Sequence, residues 1–232
     1  MLKKFPVTCK GLLILATFAL LGGCASFDLR EGHPLPISRN EGLVLMAVDI
    51  HNERAPKFPF DSFGVDVRDP ATGTPQTMRV ASAKGATAES FLLVMRLPAG
   101  AQLLSTLVAR TLPPPMLGPG QMSFGVEAPF TVTAGQVRYL GHFDLRNVDK
   151  TSGDDQNSSM GGIPNIPNGV TGLTRGTMRV AITDAFAHDV PLFIQSFPAL
   201  KTATIEDAPL EKLLVKRAST SSADPIPVLL QR

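Results

Sequence analysis

Two tripeptides carry the residue types most able to do chemistry. Asp49-Ile50-His51 and His142-Phe143-Asp144 each set an imidazole and a carboxylate two positions apart. Residues at that spacing on a strand project from one face, so each pair would offer a nitrogen and an oxygen ligand to a divalent ion. If the two strands were neighbours, a four-ligand set of the zinc type would converge. The simpler reading is the stronger: both pairs fall on polar strand faces or strand ends, where His and Asp are solvated, and no metal is assigned. Asp184 and His188 have the spacing of one helical face but suit the polarity of a turn and a helix start. Tyr139, the only tyrosine, sits in an apolar pattern that favours core packing with its hydroxyl hydrogen-bonded. The sequence holds no Gly-x-Ser-x-Gly, His-Glu-x-x-His, Walker, dinucleotide or Cys-x-x-Cys motif. No cofactor is therefore implied and no catalytic residue is assigned, although four histidines leave open a triad built from distant positions.

Short apolar runs separated by Gly and Pro are the elements that must position these groups. They cover 43–50, 63–68, 78–83, 91–97, 103–110, 123–126 and 130–133, a spacing that predicts an antiparallel β-sandwich or barrel rather than βαβ units. The clearest strand is 136–146, where Val137, Tyr139, Phe143 and Leu145 alternate with Arg138, His142, Asp144 and Arg146. Ala134-Gly135 and Leu97-Pro98-Ala99-Gly100 are read as hairpin turns, and 177–183 as another alternating strand. One short helix is expected after Asp189 as N-cap, with Pro191 in its first turn and Pro198 as its stop. A second is expected over 208–216 with Asp207 as cap. Leu112-Pro-Pro-Pro-Met116 reads as a stiff crossover, less readily as a polyproline ligand.

The amino terminus gives an address. Lys3, Lys4 and Lys10 precede the uncharged apolar stretch 11–21, which is shorter than the roughly 20 residues a transmembrane helix needs. Leu21-Gly22-Gly23-Cys24 resembles the lipobox of bacterial lipoproteins. That resemblance implies removal of residues 1–23 and acylation of Cys24, and Ala25 in place of an aspartate implies sorting to the outer membrane. Without the three lysines, 22 basic residues become 19 against 20 acidic ones, so no basic footprint for nucleic acid exists. Cys9 leaves with the leader and Cys24 is lipidated, so no thiol remains for a disulfide or a metal. The expected organisation is a lipidated tether over 24–40, a sandwich domain over 41–217 and a flexible tail over 218–232.

Phe91 to Leu104, followed by Phe130-Thr-Val-Thr-Ala-Gly-Gln-Val-Arg-Tyr-Leu-Gly141, resembles bacterial outer-membrane lipoproteins with a prealbumin-like or carboxypeptidase-regulatory-like β-sandwich. Ala99 and Ala134 stand where that pattern has prolines. The resemblance implies a fold and no activity. Residues 147–176 hold six glycines, Pro164 and Pro167 and show no period. They are expected to leave the sandwich as a long loop, with Ile163, Pro164, Ile166 and Pro167 as the segment stiff enough to dock on a partner. The function expected is a non-catalytic binding or assembly module of the envelope, contacting the membrane through acyl groups and an envelope protein through its surface. An envelope hydrolase or metal-dependent enzyme, and a secretion-system accessory lipoprotein, are the alternatives.

Overall fold

The computed structural model of the chain describes residues 27, 29–30, 32–87, 89–111, 120–149, 158–159 and 176–210. Among them the fold is a β-sandwich of two sheets. The larger contains β1 (Glu41–Asn52), β4 (Ser90–Pro98), β3 (Arg79–Lys84), β7 (Val137–Asp149), β9 (Gly176–Thr183) and β10 (Ile205–Asp207). The smaller is ordered β2 (Phe60–Arg68), β5 (Gly100–Thr111), β6 (Gly120–Val132), β8 (Ser158–Ser159). One helix, α1 (Phe186–Ser196), and a 3-10 turn over Pro198–Thr202 follow β9.

β1 is the centre of the larger sheet. It pairs antiparallel with β4 and parallel with β7, and β7 carries both β9 and β10 on its other edge. The run Leu43 to Val48 is continuously apolar because both faces of this sheet are covered, the pattern expected of a strand with no solvated side. Val44, Met46, Val48 and Ile50 point into the inter-sheet core with Leu93, Leu107, Phe124 and Phe143. Leu43, Leu45 and Ala47 point the other way, into a second cluster with Val94, Tyr139, Phe193 and Leu200.

A bulge in β7 decides which side chains reach which layer. Leu45 pairs with Tyr139 and Ala47 with His142, so one residue of β1, Met46, opposes two of β7, Leu140 and Gly141. Gly141 takes φ +124° there, a region closed to side chains, and an added Cβ would lie 3.1 Å from Ile182 and 3.2 Å from the Thr183 carbonyl. The extra residue resets the alternation. Val137 and Tyr139 face the helical layer, whereas Leu140, Phe143 and Leu145 face the inter-sheet core. The expectation that Tyr139 and Phe143 share one face is thus corrected: both are buried, on opposite sides of the sheet.

Other expectations are corrected by long-range pairing. Leu97-Pro98-Ala99-Gly100 and Ala134-Gly135 are corners, not hairpins, since β4 and β7 lie in one sheet and β5 and β6 in the other. At the first corner Gly100 has φ +128°, Ala99 donates to the Asn40 carbonyl, and the buried Gln102 amide donates to the Pro98 carbonyl. The runs 123–126 and 130–133 are one strand, β6, bulged at Val126-Glu127 where Glu127 has φ +49°. The segment 147–176 is shorter than expected: Asn147 to Asp149 extend β7, and Ser158-Ser159 pair with Ser123 and Phe124. Asp207 ends strand β10, and of the helix expected over 208–216 only residues 208–210 are described, among which Leu210 alone is helical. Residues 112–116, 163–167 and 211–232 lie outside the described residues.

The stretch read as a tether is also seated. Phe27, Leu29, Leu35 and Ile37 pack into the second cluster, and Leu29 is 5% exposed. Its carbonyl accepts from Ala199 N–H, and Arg96 donates to the Pro36 carbonyl at 2.8 Å. The larger sheet is therefore the middle of three layers, between the smaller sheet and a cover made of α1, the 3-10 turn and residues 27–37.

Two substitutions test this arrangement. Phe143→Ala empties a fully buried site and is expected to lower unfolding free energy by about 3–5 kcal/mol in denaturant titration. Gly141→Ala is expected to cost more than about 1 kcal/mol, because the left-handed backbone and the tight approach both oppose a side chain. An unshifted midpoint for either would show that β7 is not bulged and packed in this way.

Candidate functional site

The polar residues singled out in the sequence separate into two places. The first is a knot between β7 and α1. The bulge sends Tyr139 and His142 to the same side, and Asp189 of α1 meets both. Tyr139 donates its hydroxyl to Asp189 Oδ2 at 2.5 Å, and His142 Nδ1 lies 3.0 Å from the same oxygen. His188 Nδ1 lies 2.8 Å from Oδ1. The other nitrogen of His142 reaches Asp49 Oδ2 on β1 at 3.2 Å.

Asp189 is only 1% exposed, and a carboxylate so placed needs donors on both oxygens. The expected N-cap role is therefore corrected. Helix α1 starts four residues earlier than that role requires, at Phe186, whose N–H donates to Asp184 Oδ1, while Asp189 turns inward. Burial alone would raise the Asp189 pKa; the hydrogen bonds from His142, Tyr139 and His188 outweigh it and hold the group below the usual carboxylate value. His142 moves up, through its bond to Asp189, against the opposing effect of burial and with added attraction from both Asp189 and Asp49. With carboxylate oxygens against both ring nitrogens, both act as donors, the arrangement of an imidazolium. Burial and then Asp189 raise the Tyr139 pKa, so its hydroxyl stays protonated and donating.

The second place is the open end of the sandwich at the carboxyl ends of β1 and β7. Parallel pairing puts Asp49 beside Asp144 and His51 beside Arg146. The four metal-ligand candidates do not converge: His142 meets Asp49, His51 bonds Glu89 at 2.9 Å, and Asp144 bonds Arg146 at 2.9 Å. Among the described residues no group of three or more His, Cys, Asp or Glu is arranged to hold a metal ion. An open depression of about 720 Å³ lies here, lined by His51, Asn52, Glu53, Thr87, Glu89 and Arg146 together with Pro56 and Pro59. Its charges are paired: Arg146 spans Glu53 and Asp144, each at 2.9 Å, and nearby Arg54 meets Asp149 at 2.6 Å. The Thr87 hydroxyl is engaged with Ser90 at 2.7 Å. Beneath it, the buried Asn147 amide donates to Asn52, which donates to the Phe58 carbonyl and so fixes the β1–β2 connection.

Sequence reading singled out Tyr139, His142, Asp49 and His188 without bringing all four together, and it missed Asp189 as the common partner of Tyr139, His142 and His188. It also passed over Glu89 and Arg146. The signal for the first group was Gly141, a lone glycine inside an alternating strand. Cys24, Ile163, Pro164, Ile166 and Pro167 lie outside the described residues.

Comparison with protein-family models, curated proteins and solved structures finds no match. Among the described residues no helix is long and apolar enough to cross a membrane.

The knot predicts a pH dependence. A folded-state pKa above the unfolded one means that the His142 contribution is complete below the unfolded value, about 6.5, and is lost as pH rises through the folded value. Stability of the native protein is therefore expected to fall as pH rises above about 6.5, and His142→Gln should remove that slope. Tyr139→Phe leaves Asp189 short of a donor and is expected to cost about 1–3 kcal/mol. Both are read from chemical unfolding across pH, and parallel curves for native protein and His142→Gln would contradict the assignment.

Proposed function

We propose that the chain is a non-catalytic lipoprotein of the bacterial envelope, acylated at Cys24, held on the periplasmic side of the outer membrane, and acting by binding an envelope protein. The observation that carries the binding half is the division of the polar residues. The buried Tyr139 and Asp189 and the half-buried His142 bond to one another and hold α1 on the sheet. The exposed ones ring an open depression as salt bridges.

Such surface pairs contribute only about 0–1 kcal/mol each to the fold, so they can exchange partners across an interface at little cost to stability. Charges placed this way supply orientation and selectivity more than raw affinity. The β1–β2 connection and the turn after β3 that frame this end are loops on a rigid scaffold, where binding residues concentrate. The acylated address rests on the leader and the Leu-Gly-Gly-Cys motif. Ile163, Pro164, Ile166 and Pro167 are proposed as a second contact element on their sequence.

Cys24→Ser is expected to abolish incorporation of a fatty-acid probe and move the protein from the membrane to the soluble fraction with an unchanged melting temperature. The double reversal Glu53→Arg with Arg146→Glu is expected to keep stability within about 0.5 kcal/mol and to lose the partner that the native protein retains on crosslinking. Full retention of that partner would remove the open end from the interface, and continued membrane fractionation of Cys24→Ser would remove the lipid anchor.

A further inference from the structure

We infer that residues 27–40 are a seated strap and not a free tether, so that the acyl anchor holds the sandwich with its strap end against the bilayer and its charged depression facing away. This deepens the proposed function and rests on acylation of Cys24.

The argument is one of chain length. Phe27 lies with its ring under the Arg96 guanidinium, 5.8 Å from the centroid, and Arg96 also donates to the Pro36 carbonyl and pairs with Glu41 at 3.5 Å. Leu29 is buried and its carbonyl is taken by Ala199. Phe27 and Leu29 are thus fixed to the domain, and three residue steps separate Phe27 from Cys24. Even fully extended, those steps span only about 11 Å. A free stretch to Asn40 would have allowed about 50 Å.

That play must be compared with the molecule. The twelve residues of β1 extend over about 40 Å at the rise of a strand. Arg96 and Pro36 sit at the end where β1 begins and β4 finishes, and the depression formed by His51, Glu53, Glu89 and Arg146 sits at the other. An anchor with about 11 Å of slack at one end cannot bring the opposite end to the same surface unless the domain lies on its side. Helix α1 of the outer layer gives no reason to do so: its exposed positions are Ala187, His188, Pro191, Gln195 and Ser196. They hold none of the large apolar or Lys/Arg residues with which interfacial helices bind lipid.

The test uses the acylated full-length product in vesicles of phosphatidylethanolamine and phosphatidylglycerol carrying a headgroup-attached acceptor dye. Cys24 is blocked by its lipid and Cys9 is removed with the leader, so an introduced cysteine is the only free thiol. Donor dye is placed by Ser38→Cys near the strap or by Lys57→Cys at the far end, both at exposed positions. Energy transfer is expected to be severalfold greater from position 38 than from position 57. Ten Gly/Ser residues inserted between Ser26 and Phe27 should bring the two values together without changing the melting temperature. Equal transfer from both positions in the protein without the insertion, or a difference that survives the insertion, would overturn the strap as the element that sets orientation. Absence of the fatty-acid label and of flotation with vesicles is a separate readout, and it would overturn the lipoprotein reading and this inference together.

Discussion

A carboxylate with almost no contact with water is the constraint on which the covered face of this sandwich depends. Transferring an unpaired carboxylate into such a place costs several kcal/mol, so Asp189 is tolerable only where donors meet both of its oxygens. Tyr139, His142 and His188 meet that need. Two of them come from one strand, and they lie on one side of it only because β7 carries an extra residue at Leu140-Gly141. The bulge, the helix position and the protonation of His142 are therefore one linked arrangement. Loss of any member leaves Asp189, which is 1% exposed, short of a partner.

The same linkage explains what could be read from the sequence and what could not. Strand positions followed from alternation and punctuation: six of the nine runs lie within strands of the fold, and 78–83, 130–133 and 136–146 overrun a strand end by one residue. Sheet membership did not follow, because a tight turn looks alike whether it joins partners in one sheet or carries the chain across to the other. The facing of Tyr139 was lost for a related reason: alternation is a local count, and the bulge is imposed by pairing with β1, about ninety positions away in the chain. Asp189 satisfied a local rule for helix starts, but its donors come from another layer. In residues 27–40 the prolines and glycine drew more weight than Phe27, Leu29, Leu35 and Ile37, whose common destination is visible only once a sheet face needs covering.

At the open end the legible and illegible parts are reversed. His51, Asp49, His142 and Asp144 were conspicuous by type, and the parallel pairing of β1 and β7 does bring their strands together. Register then separates them, because Asp49 stands opposite Asp144 while His51 stands opposite Arg146. One arginine in that position turns a potential ligand set into a ring of salt bridges. Glu89 enters from the turn before β4, a distance in sequence that no motif spans.

The clasp between Ala199 and Leu29 joins residues near opposite ends of the described chain. During synthesis, the first of these segments emerges long before the second exists. For that interval Phe27, Leu29, Leu35 and Ile37 lack the neighbours Phe193, Phe197, Ala199 and Leu200 that complete their cluster. The last part of the described chain to be made thus completes the shelter of the first.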